Sequence, residues 1–204
     1  MLSGFLTIAL LHSLALISPG PDYALITKTA LMSSRRHALW VAFGIAIGIW
    51  FHVLYCLFGI AVLIAQSPMA YNSVRYLGAA YLIYLGIHSF RARVESAPLE
   101  GEKKMSPNDL IAFRQGILCN ILNPKATLFF LSVFTLIVDP QTPLWLQSVY
   151  GLQMSIMTFA WFGLLAVMIS HPRFKQILTR WQAHIGKIMG ILFLLFAAHL
   201  IFIL

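Results

Sequence analysis

The chain has 204 residues, of which 60% are hydrophobic and 10% charged, with a mean hydropathy of +0.84. Soluble domains carry about one quarter charged residues, so a water-soluble globule is excluded. The formal charge of +8 does not point to nucleic acid, because the Lys and Arg residues stand between apolar runs instead of along one polar face.

Apolar runs at 3–33, 38–65, 72–91, 110–138, 144–170 and 184–204 are each long enough to cross hydrocarbon, which takes about 20 helical residues. The opening MLSGFLTIALLHSLALISPGP has no basic n-region and no small-residue cleavage site, so it is read as a retained first span. The expected fold class is an all-α polytopic membrane protein with six transmembrane helices. The connections at 28–37, 91–114 and 171–187 hold twelve of the 14 basic residues, among them Lys28, Arg35, Arg36, Arg91, Arg93, Arg173 and Lys175. Six crossings put these connections on one side; by the positive-inside rule that side is cytoplasmic and both termini face outward.

The polar stretch 91–109 has no hydrophobic periodicity. It divides the chain into a first three-helix half (1–91), a cytoplasmic linker (92–109) and a second half (110–204). Ser106 as N-cap, Pro107 at the first helical position and Asp109 three residues after the cap predict the start of the fourth span.

Aligning Pro21-Asp22 with Pro124-Lys125 superposes the halves at an offset of 103 residues and brings Gly48 onto Gly151 and Phe58 onto Trp161. The third spans align at a larger offset, Gly78 with Gly190 and Tyr81 with Phe193. Three spans is an odd number, so the halves cross in opposite senses, as two inverted three-helix repeats. Helices 1 and 4 are broken at mid-membrane, in Ser18-Pro19-Gly20-Pro21-Asp22 and Asn123-Pro124-Lys125. A Gly/Pro interruption at matching places in inverted halves points to a transport site near the midplane. Pro21 and Pro124 suit the first position of a restarted helix, with Gly20 and Asn123 as caps. Unwound backbone survives in hydrocarbon only where protein or water surrounds it, so both breaks should face inward.

Asp22 lies 13 residues from Arg35, and Lys125 lies 11 beyond Arg114 and 14 before Asp139, which places both charges near mid-membrane at a helical rise of about 1.5 Å per residue. An intramembrane acid and base are costly and call for named partners. Asp22 suits the positive end of its helix, whereas Lys125 opposes its own. Lys125 therefore needs an anion, for which Asp22 and the carboxylate of a substrate are the candidates. The rival reading is a permanent Asp22–Lys125 ion pair that only pins the halves together. A buried pair is weak evidence for stability, and mere joining would not need two helix breaks.

Four segments, SPGPDYALITKTAL, GIAIGI, LGAAYLIYLGI and NILNPKATLFF, resemble the LysE/RhtB family of bacterial amino-acid exporters over essentially the whole chain. The opening FLTIALLHSLALISPGPD is most similar to the threonine and homoserine efflux members. The resemblance implies secondary-active export of an amino acid, a threonine- or homoserine-like neutral one being favoured, from the cytoplasm across the inner membrane by proton antiport. It carries the family's motif positions onto Pro19, Gly20, Pro21, Asp22, Asn123, Pro124 and Lys125 as the substrate-binding residues. The expected partners are the amino acid, protons, the lipid bilayer and a second copy in a homodimer; no cofactor, metal or nucleic acid is expected.

His12, His52, Trp50, Tyr55, Tyr81, Ser155, Thr158 and Trp161 lie within spans and are candidates for the cavity wall or a proton relay, although packing is the commoner role for any single one. His88 and His199 are weaker candidates. Trp40, Tyr71, Tyr76, Trp145 and Trp181 fall near span ends as interfacial anchors. Gly44-xxx-Gly48 and Gly186-xxx-Gly190 permit close helix contact and are candidate dimer seams. Cys56 and Cys119 read as small core residues. Among rival readings, a metal exporter of the same superfamily lacks a cluster of acids, thiols or imidazoles around the breaks. An enzyme is not expected, with no HExxH or GxSxG motif. A membrane scaffold leaves the matched breaks without a purpose.

Overall fold

Proline placement decides where the helices stop and restart. The computed structural model describes residues 2–67, 108–138 and 141–169, with scattered helical positions within 69–87 and 187–198. In it α1 (Leu2–Ile17) ends at the Ser18-Pro19 step and α2 (Pro21–Met32) begins on Pro21 with Gly20 as its cap. After the unbroken α3 (Arg35–Gln66), the same device recurs. Following α4 (Asp109–Ile121), Asn123 caps α5 (Pro124–Leu136), its side chain accepting from the Lys125 backbone N–H at 3.0 Å. The two helix pairs are bent by 53° and 56°. Proline lacks the donor that would continue the preceding helix, yet its fixed φ suits a first turn, so break and restart come from one residue. The unbroken α6 (Leu144–Ile169) completes the described elements.

Two helices long and apolar enough to cross a membrane, with two bent pairs of the same character, make this a multi-pass helical membrane protein. The expected third and sixth spans, and the linker up to residue 107, lie largely outside the described residues. The start of α4 corrects the Ser106 expectation: Asn108 is the cap, its side chain accepting from the Leu110 N–H at 3.0 Å. An Asn oxygen reaches the free amide at that position as well as a Ser hydroxyl does. Asn108→Ala is expected to lower stability by about 1 kcal/mol, read as a lowered melting temperature in detergent.

The long helix α3 is the centre of the assembly, packed against α4, α6, α2 and α5. Its contact with α4 is backbone against backbone. A methyl group on Gly44 would stand 2.1 Å from the Phe113 carbonyl oxygen, and one on Gly116 would stand 2.2 Å from that of Val41. One turn further, Gly48 leaves room for Asn120. The Gly44-xxx-Gly48 face is thus used inside the chain against α4, which corrects its reading as a dimer seam; small residues serve any close helix pair, and sequence spacing does not say which. The other candidate seam includes Gly186, outside the described residues.

These contacts run in register, so α3 and α4 are parallel. Ser155 donates to the Ala46 carbonyl at 2.7 Å, Gly151 meets Val53 and Gly163 meets Leu39, so α6 is antiparallel to α3. The starts of α3 and α4 and the end of α6 share one end of the bundle, where the Arg36 guanidinium pairs with Asp109. Those are the ends that adjoin the three basic connections.

The outer face is apolar, and the apolar core encloses a set of polar groups. Phe43, Ile47, Phe51, Leu54 and Phe58 form an exposed stripe on α3, and Leu152, Ile156 and Phe159 one on α6, while His12, Asp22, His52, Asn120, Asn123 and Thr158 are buried. Lipid accepts the first set, and the second can be satisfied only by protein or enclosed water. Trp40 and Trp145 stand partly exposed near helix starts, as interfacial anchors do. Tyr71 and Trp181 lie outside the described residues.

Candidate functional site

A helix that stops inside the bundle leaves its last carbonyls without donors. At the end of α1 these are met by Lys125 of the other break. Its ammonium donates to the carbonyl oxygens of Ala15 at 3.0 Å and Ser18 at 2.5 Å, with that of Pro19 at 3.5 Å. A cation at the negative end of a helix dipole is favourable, which offsets the unfavourable position of Lys125 in its own first turn. The anion expected from the sequence is thus joined by neutral carbonyl oxygens as partners of this lysine. Gly20 makes the approach possible: a methyl group there would lie 3.1 Å from Lys125 Cδ and 3.4 Å from Nζ. Gly20→Ala is expected to displace the ammonium and reduce transport by up to about tenfold while the protein still assembles; transport rate normalised to folded protein checks it.

Asp22 sits in the first turn of α2 and is 8% exposed. Its Oδ2 accepts from Asn120 Nδ2 at 2.9 Å. Its Oδ1 is buried and accepts from no described nitrogen or hydroxyl, while the Cys119 thiol stands beside the carboxylate. Lys125 is close enough for the two charges to act on each other. Asp22, Lys125, Gly20, Asn120 and Asn123 line one cavity of about 40 Å³. Its apolar wall takes Ile49, Phe129 and Phe130 from one core cluster and Leu16 and Phe162 from another. A polar space of that size accommodates water.

The break residues are therefore together: Pro21 and Pro124 open the two helices, Pro19 offers a carbonyl, and the others face the cavity. Of the remaining candidates, His12 and Thr158 line it. His52 is buried against Phe130, ring centroids 5.4 Å apart, with Nε2 donating to the Asn120 carbonyl at 3.0 Å. The Tyr55 hydroxyl donates to the Thr127 carbonyl at 2.8 Å, and Ser155 bonds α3. Trp50 and Trp161 are half-buried against the two core clusters. Tyr81, His88 and His199 lie outside the described residues. Asn120 was missed by the sequence reading. The available signal was an amide in an apolar run, one turn ahead of the Asn123 cap.

A helical membrane protein in which two bent helix pairs meet at a cavity holding a buried acid and a buried lysine is built as a translocator of small solutes. The chain belongs to the LysE type translocator family, whose model matches residues 13–203. It is 31% identical to the threonine efflux protein of Escherichia coli (strain K12) over 98% of each chain. It is 30% identical to the threonine efflux protein of Salmonella typhi, again over 98% of each. An uncharacterized membrane protein of Haemophilus influenzae is 27% identical over 97% of this chain and 95% of its own. No solved structure is a significant match. As a member of this family the protein is a bacterial membrane translocator and not an enzyme.

Proposed function

We propose that the protein exports a neutral amino acid of the threonine or homoserine kind from the cytoplasm across the inner membrane in exchange for protons. The observation that carries this reading is the cavity lined by both a carboxylate, whose Oδ1 accepts from no described nitrogen or hydroxyl, and a lysine on helix-end carbonyls. A zwitterion needs that pair of partners. The substrate ammonium takes Oδ1 of Asp22, and the substrate carboxylate draws Lys125 toward itself at the start of α5. Asp22 holds either a proton or the ammonium, because one carboxylate oxygen cannot serve both, and this competition makes the cycle an exchange.

The like bends of 53° and 56° support two inverted three-helix repeats rocking about this site. The basic connections adjoining one end of the bundle support a cytoplasmic assignment for that end and an outward assignment for both termini. The relatives named threonine efflux proteins support the substrate class. The test is counterflow in proteoliposomes. Labelled L-threonine should accumulate against internal unlabelled L-threonine, and net movement of threonine without internal substrate should follow an imposed pH gradient and be abolished by a protonophore. Absence of counterflow for every amino acid tried would refute the reading.

A further inference from the structure

The cavity contains a second buried polar group that neither Asp22 nor Lys125 engages. His12 on α1 is 2% exposed, and its ring packs against Phe129 and Phe130, with centroids 5.7 and 6.1 Å away. All three residues line the cavity. On its other edge, His12 Nε2 lies 3.1 Å from the Met154 carbonyl oxygen and 2.9 Å from the Thr158 hydroxyl. A carbonyl can only accept, so Nε2 carries the hydrogen, and a neutral ring then presents Nδ1 as a bare acceptor. That Nδ1 is buried and has no hydrogen-bond partner among the described residues.

A buried acceptor left unmade is unfavourable, so it marks a place where a donor belongs. The donor must be small, because Phe129, Phe130, Ile49 and Phe162 crowd the same wall. It is not the substrate ammonium, which the proposed function gives to Asp22 on the same cavity. An aliphatic hydroxyl meets every requirement.

We propose that His12 reads the side chain of the transported amino acid: Nδ1 accepts a hydrogen bond from a side-chain hydroxyl, with the ring held by Met154 and Thr158. The site therefore takes hydroxyl-bearing amino acids in preference to aliphatic isosteres. This rests on the proposed function, in which Asp22 and Lys125 hold the backbone groups of the same substrate.

The test uses the full chain in proteoliposomes, with unlabelled L-threonine, L-homoserine, L-valine and L-2-aminobutyrate competing against labelled L-threonine in counterflow. In the wild type, the hydroxyl compounds should compete about tenfold better than the two aliphatic ones. In His12→Phe the threonine-to-valine ratio should fall by about the same factor. Equal competition by threonine and valine in the wild type, as expected if only water pairs with Nδ1, overturns the proposal without any variant. So does an unchanged ratio in His12→Phe. Amino-acid transport without hydroxyl preference would refute this inference alone, whereas no counterflow of any amino acid would remove the proposed function and this inference with it.

Discussion

Asp22→Asn is expected to abolish proton-coupled flux while leaving the bundle assembled. The amide has the shape of the carboxylate, and its oxygen can still accept from Asn120 Nδ2, which now bonds Asp22 Oδ2 at 2.9 Å. What disappears is a titrating group and a charge for the substrate ammonium. Loss of one charge-assisted bond, worth about 1.5–3 kcal/mol, lowers transport by about ten- to a hundredfold, and coupling to a pH gradient goes entirely because an amide does not titrate. Lys125→Met is expected to lose transport and stability together. Methionine leaves the carbonyls of Ala15 and Ser18 at the end of α1 without the ammonium that now serves them, at about 1–3 kcal/mol for each buried group left unpaired. Counterflow with and without a pH gradient, beside melting curves in detergent, separates the two outcomes. Full proton-coupled flux in either variant would sink the assignment of the pair.

The second large effect concerns assembly. Gly44→Leu or Gly116→Leu is expected to prevent α3 and α4 from packing. Even Ala at either position should cost about 1–3 kcal/mol or more, because the methyl group would stand 2.1 or 2.2 Å from a carbonyl oxygen. The colliding atoms are backbone, so no rotamer change relieves the clash and the helices must separate. Separation also withdraws Asn120, which packs on Gly48, from Asp22, so residual protein should transport poorly. Gly163→Ala is the control. Its nearest neighbour beyond its own helix is Leu39 Cδ2 at 3.7 Å, an ordinary contact, and helix propensity favours alanine by about 1 kcal/mol. Size-exclusion profiles and melting temperatures should be poor for the Gly44 and Gly116 variants and normal for Gly163→Ala. Normal assembly of Gly116→Leu would contradict the close α3–α4 contact.

Much of this molecule was legible from residues alone because the deciding chemistry is local. Pro21 and Pro124 lack a donor and fix φ, so the ends of α1 and α4 and the starts of α2 and α5 follow from the chain without reference to any neighbour. Apolar run lengths gave the spans α3 and α6 within a few residues. The cap of α4 was misplaced at Ser106 instead of Asn108 because several residues in a polar stretch can serve as caps, and only the packed helix selects one.

What the sequence by itself determined is the membrane class, the two helix breaks and the residues that form them, since each rests on hydropathy or on the covalent structure of proline. Only the tertiary structure decided which surfaces meet. It turned Gly44-xxx-Gly48 toward α4, brought Asn120 to Asp22 across 98 residues of chain, and gave Lys125 the carbonyls of α1 as partners. A glycine face, a lone amide and a buried ammonium each have many acceptable partners, and nothing in their spacing along the chain chooses among them. The choice is made by close packing in three dimensions, where a carbonyl oxygen and a missing methyl group have to fall at the same point.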